Sequence, residues 1–268
     1  PGKPLTFLDH HIQCGNSLLG CTPELLENGI PDAAFSELVG DDKAVVAKYK
    51  KLNKDEGKKG VIDIFGMEFQ SRLAQSDLSS EVNSINRLSD SSLDSLMEKE
   101  RSYQSFLSSP AYQDAKLIND AWCATFVWIK DGSPMRSEPL THGTLEAIKA
   151  NPQSINPFLK AEIQRLARQY KFFHWHLAFP DVFDNSSAGF DCVLGNPPWE
   201  HNELKEKEWF TSRDEAIAEA AGATRKKLIK ELEHSNPSLF YQYLKELRYY
   251  QATSLLYNKD SGLYPLCG

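Results

Sequence analysis

Apolar residues recur at spacings of three and four along much of the chain, and this period predicts helices. It runs through "AVVAKYKKL" (44–52), "MEFQSRLAQSDL" (67–78), "SSLDSLMEKERSYQSFL" (91–107) and "AKLINDAWCATFVWI" (115–129). Asn156 followed by Pro157 opens a further helix, "NPFLKAEIQRLARQYKFF". In "SDSSLDSL" either Ser89 or Asp90 is placed to cap the helix that follows, and "KLNKDEGKK" (51–59) reads as a solvated link. The period then shortens. "FHWHLAFPDVF" (173–183) and "FDCVLG" (190–195) are aromatic, β-branched and bounded by turn residues, which predicts strands or extended segments. A short strand near 11–14 precedes the Gly15-Asn16 turn, and helical text returns after Glu200.

The pattern predicts an α/β, helix-rich fold with four parts. Residues 1–35 give a strand and turn of a core, and 36–155 a large helical insertion. Residues 156–200 return to the core, and 201–268 form a closing helical segment. The chain has 268 residues, enough for a substantial core. No apolar run approaches the roughly 20 residues of a membrane span. The net charge of −7 argues against the bulk of the surface coating nucleic-acid phosphates. Five cysteines, odd in number and with no C-x-x-C pair, predict a reducing, cytoplasmic setting. The chain opens on "PGKPLTF" and closes on "YPLCG", as expected of a segment cut from a longer protein.

The stretch with the most chemical content is "FDCVLGNPPWE" (190–200). Two successive prolines stiffen the loop and remove N–H donors, leaving carbonyl acceptors. The side-chain oxygen of Asn196 and the carbonyl of Pro197 could together accept both hydrogens of a planar exocyclic amino group. Trp199 offers a flat face for its ring, and stacking of this kind is worth about 1–3 kcal/mol per base. As such a nitrogen attacks an electrophile it gains positive charge, so acceptors aimed at it favour the transition state over the ground state. The plain alternative is a structural turn with Trp199 packed in the core.

Other signals are weaker. His174 and His176 flank Trp175 with no joining Cys, Asp or Glu cluster, so both read as structural, as do His10 and His11. Asp181 and Asp191 read as capping or solvated. Basic text at "KYKKLNK" (48–54) and "TRKKLIK" (224–230) suits an ordinary helix surface or phosphate contacts, and the aromatic "LFYQYLKELRYY" a packing face.

"FDCVLGNPPWE" resembles the catalytic motif of S-adenosylmethionine-dependent DNA adenine-N6 methyltransferases, Asn/Asp-Pro-Pro followed by an aromatic. "LDHHIQCGNSLLGCTPELL", "FHWHLAFPDVF" and "EWFTSRDEAIAEA" extend the likeness to the large enzymes of fused restriction–modification (type IIG-like) and phage-defence systems. The resemblance implies methyl transfer to the amino group of an adenine flipped out of double-stranded DNA. It assigns Asn196 and Pro197 to the amino hydrogens, Pro198 to stiffening, Trp199 to stacking, and Asn16 and Ser17 to the cofactor. It also implies a partial Rossmann-like sheet and a bacterial or archaeal cytoplasmic protein. The family's glycine-rich cofactor loop has no counterpart, since no G-x-G occurs. The S-adenosylmethionine site is therefore expected to be incomplete and the segment alone inactive. A longer parent would supply the remaining strands, target recognition and a possible nuclease. Asn16 and Asn196 stand 180 residues apart, far more than one crossover helix needs, which predicts the helical insertion between two strands. Two other readings stay open: methylation of protein glutamine or RNA amino groups, and a non-catalytic helical interaction module.

Overall fold

The computed structural model of the chain describes residues 6–58, 71–133, 138–183, 189–196 and 202–264. Their elements in chain order are α1 (Pro23–Asn28), α2 (Lys43–Lys58), α3 (Ser71–Asn86), α4 (Leu93–Ser108), α5 (Pro110–Val127) and α6 (His142–Ala150). After these come α7 (Pro157–Tyr170), α8 (Trp175–Ala178), α9 (Glu206–Thr211), α10 (Glu215–Glu219), α11 (Gly222–Ser235) and α12 (Pro237–Tyr257). Short 3₁₀ turns lie at Asp32–Phe35 and Lys259–Ser261.

Local chemistry explains the helix ends. Asn156 accepts the Phe158 N–H at 2.9 Å and Pro157 occupies the first turn of α7, as the sequence predicts. The start of α4 differs from expectation. Its cap is Ser92, in a reciprocal box with Ser95, while Ser89 accepts the Ser91 N–H and Asp90 pairs with Lys99 at 3.1 Å. The charged run 51–58 continues α2 rather than linking helices, because Asn53 is buried and bonded on both sides. Its amide donates to the Ile30 carbonyl at 3.0 Å and accepts the His142 N–H at 2.9 Å.

α5 is the centre of the main core. Trp122, Phe126 and Ala121 are fully buried among Leu19, Phe35, Leu145, Ile163 and Leu256, so one cluster joins residues from both ends of the chain. The Trp122 indole donates to the Gly29 carbonyl at 2.9 Å, satisfying its single polar atom. Arg248 ties α12 to this core, donating to the Val39 and Trp128 carbonyls and pairing with buried Asp41 at 2.8 Å. A second cluster, Phe210, Ile217, Ile229, Leu232 and Tyr243, holds α9–α12 together. Tyr243 serves there as the packing residue expected of the aromatic run.

Among the described residues no extended strand forms, and the backbone pairs at one parallel bridge, Asn16 with Phe172. Asn16 N–H donates to the Lys171 carbonyl at 2.7 Å and Phe173 N–H to the Leu19 carbonyl at 2.7 Å. Residues 9–12 turn rather than extend. The strand expected at 173–183 is replaced at Trp175–Ala178 by a helical turn, closed when the His174 carbonyl accepts the N–H groups of Leu177 and Ala178 at 2.9 Å.

Candidate functional site

The site is built where residues 15–20 lie against 171–175. Glycine makes the approach possible. A Cβ on Gly20 would fall 2.1 Å from the Phe173 carbonyl oxygen, and one on Gly15 would fall 2.6 Å from the Phe173 ring. The strap between these glycines presents Asn16 and Ser17. Asn16 is half-buried: its side-chain oxygen accepts the Leu18 N–H at 3.2 Å, and its side chain lies beside Tyr249 and Tyr257 of α12. Ser17 is exposed, and its carbonyl accepts the Trp175 indole N–H at 2.9 Å. The Tyr264 hydroxyl holds the Leu18 carbonyl at 2.9 Å.

A buried polar relay fixes the other side. The Cys21 N–H donates to His174 Nδ1 at 3.0 Å, so that nitrogen carries no proton and Nε2–H donates to Asp120 Oδ1, also at 3.0 Å. Asp120 Oδ2 pairs with Lys116 at 2.5 Å. The His174 and Asp120 side chains are 3% and 4% exposed, so the relay lies in the interior, anchoring the strap to α5. His176 is buried nearby, its ring centroid 6.4 Å from that of His174. Burial, aided by His174, lowers its pKa to about 3 and keeps it neutral. Both histidines are buried in the interior, and among the described residues no group of three or more His, Cys, Asp or Glu could hold a metal ion. His10 stacks on Phe7 with centroids 5.5 Å apart, and burial, then His11, lowers its pKa. Asp181 accepts from Asn86 at 3.0 Å, whereas Asp191 is exposed.

An aromatic wall runs from the strap toward the proline loop. Phe173 meets Trp175 edge-on at 5.0 Å, and Phe190 meets Trp175, Phe179 and Phe183 at 5.9, 5.4 and 5.6 Å. Trp175 and Phe190 keep 37% and 41% of their surface exposed, so the wall presents free ring area beside Ser17. Phe190 anchors the start of the segment leading to Asn196, which is itself exposed. Val193 and Leu194 are also exposed, at 75% and 92%. Pro197, Pro198 and Trp199 lie outside the described residues. The wall and the Asp120 relay were missed in the sequence. One signal was available, since Asp120 is an acid within the apolar text of α5.

S-adenosylmethionine, implied by the resemblance, would meet an exposed serine and an exposed indole here. Ser17 offers a free hydroxyl and Trp175 an exposed ring, while the Asn16 amide is already satisfied by the chain. No helix among the described residues is long and apolar enough to cross a membrane.

No curated protein and no solved structure matches the chain. Residues 121–231, from the middle of α5 into α11, match the family model of the Eco57I restriction-modification methylase. The matched span encloses the relay histidine, the aromatic wall and Asn196, so this part of the chain is similar to a restriction–modification DNA methylase.

Proposed function

We propose that the chain is part of a DNA methyltransferase that transfers a methyl group from S-adenosylmethionine to the exocyclic amino group of adenine, within a restriction–modification or phage-defence system. The observation that carries the reading is the methylase match over 121–231, which contains "NPPW". S-adenosylmethionine, when bound, supplies an electrophilic methyl group. The chain's own residues would hold the acceptor. Asn196 and the Pro197 carbonyl take the two amino hydrogens and stabilise the charge that develops on nitrogen, and Trp199 lies on the base. Ser17 and Trp175 border the cofactor side.

The fold that suits this chemistry is a parallel methyltransferase sheet to which 171–173 and 190–195 contribute. Support comes from the parallel bridge at Asn16 and Phe172, and from Val193 and Leu194, apolar neighbours of the kind a strand buried on both faces carries.

The test is transfer of labelled methyl groups by the intact parent protein to duplex DNA, RNA and protein substrates. Asn196→Ala is expected to lower kcat by about 10²–10³-fold, the effect of removing one preorganised partner of a developing charge. Label in protein or RNA instead of DNA, or an Asn196→Ala variant of unchanged rate, refutes the assignment.

A further inference from the structure

We propose that α2 carries a docking surface for the phosphate backbone of duplex DNA, a surface that rests on the DNA-modifying reading above and lies outside the span that matches the methylase family. Six of its sixteen residues are lysines (Lys43, Lys48, Lys50, Lys51, Lys54 and Lys58) and two are acids, Asp55 and Glu56. The helix thus carries a net charge of +4 in a chain whose total is −7. All six lysines are exposed, and among the described residues none has a carboxylate within ion-pair distance. Glu56 is turned away from them, accepting the Gly143 N–H at 2.8 Å.

The rotation of the helix is fixed by its buried face. Val46, Tyr49 and Asn53 face the interior, and Asn53 is bonded to Ile30 and His142. At about 100° per residue, Lys43, Lys50, Lys54 and Lys58 then fall within an arc of about 80°, with Lys51 beside them and Lys48 further round, past Asp55. At about 1.5 Å per residue the stripe is about 22 Å long, a length over which one DNA strand presents about six phosphates. An ordinary solvated helix face alternates its charges and pairs them at i,i+4, as Lys227 and Glu231 do on α11 at 3.8 Å. The arc of Lys43, Lys50, Lys54 and Lys58 is single-signed, with exposed Asp55 lying to one side of it beyond Lys51, and its like charges repel until a polyanion neutralises them. In an otherwise acidic chain such a stripe also fixes where the polyanion sits, because the remaining surface repels it.

Lys50 locates the stripe relative to the strap. It lines a recess of about 410 Å³ with Leu255 and Asn258, at the C-terminal end of α12, and with the carboxylates Asp32 and Asp260, neither within ion-pair distance of it. Asn16 lies beside Tyr249 and Tyr257 of that helix. Leu255 and Asn258 lie on the side of the α12 axis roughly opposite these tyrosines, so α12 stands between Lys50 and the strap.

The test is fluorescence anisotropy of the 268-residue chain with a labelled duplex of about 20 base pairs, between about 50 and 200 mM salt. Replacing Lys43, Lys50, Lys54 and Lys58 by Gln is expected to lower the slope of log K against log[salt] by about 3–4. Affinity near 150 mM should then fall by at least about 10²-fold. Arginine at the same four positions should retain binding. Gln at Lys226, Lys227 and Lys230 of α11 should leave the slope unchanged. Failure of the unaltered chain to bind duplex at about 50 mM salt overturns the proposal, as does an unchanged slope in the α2 variant or a preference for anionic lipid vesicles over DNA. Binding is read without methyl transfer. A parent that binds DNA through α2 but transfers no methyl group sinks the methyltransferase reading alone, and one that methylates DNA independently of α2 sinks this proposal alone.

Discussion

Asp120→Ala removes the acceptor at the centre of the relay joining α5 to His174 and, through it, to Cys21. In the native chain His174 Nε2–H donates to Asp120 at 3.0 Å, and both side chains are almost wholly buried. Alanine leaves that N–H with no acceptor, a loss of about 1–3 kcal/mol for an unsatisfied buried donor. The Lys116 pair adds less, because Lys116 is 37% exposed and can return to water, a contribution of about 0–1 kcal/mol. The expected total is about 1–4 kcal/mol, read as a lower urea midpoint at unchanged m-value by circular dichroism. Asp120→Asn separates acceptor from charge. Its amide oxygen can still take the His174 proton, so its cost is expected to stay near 1 kcal/mol. The reasoning is refuted if alanine costs under about 0.5 kcal/mol, or if asparagine costs as much as alanine.

Gly20→Ala places a methyl 2.1 Å from the Phe173 carbonyl, so the strap must move and the bond from Phe173 N–H to Leu19 is lost; about 2–4 kcal/mol of stability is expected to go, measurable by urea unfolding. His176, with its pKa lowered by burial to about 3, is neutral in the folded chain but takes a proton near pH 6.5 once unfolded. Between about pH 3 and 6.5 the unfolded state therefore binds more protons, and stability falls as pH is lowered, by up to about 1.4 kcal/mol per unit from this group. Melting curves across pH 5–7 should show a shallower dependence in His176→Phe; an unchanged slope would assign the effect to other groups.

Much of the helical part was legible because its determinants are local. Asn156 and Pro157 specify the start of α7 within three residues, and the apolar spacing of 115–127 marks α5 as a buried helix. Local rules failed where several residues compete for one role, as among Ser89, Asp90 and Ser92, where the reciprocal bond to Ser95 decides. They also failed at Trp175–Ala178, where the alternation of aromatic residues resembles a strand. There Trp175 faces out toward the wall while His176 and Leu177 are buried, a division one helical turn can satisfy. The Asp120–His174 pair spans 54 residues, and the aromatic wall is assembled by tertiary packing, so neither leaves a periodic trace. Asn196 was placed by motif alone, and the expected sheet, together with Pro197, Pro198 and Trp199, stays a matter for the proposal above.

The relay, the glycines and the wall act as one mechanical series. α5 holds His174 through Asp120; His174 and Phe173 hold the strap at Cys21 and Leu19; Trp175 holds Ser17 and packs against Phe190, six residues before Asn196. Each link is a hydrogen bond near 3 Å or a ring contact under 6 Å, so a shift at one end has few ways to relax before the other. A loop that must hold an amino group within hydrogen-bond reach tolerates little displacement, and an error of about 1 Å can cost about 10²-fold in rate. The relay residues thus bear on the proposed chemistry through position alone: they hold Phe190, six residues before the asparagine, against Trp175.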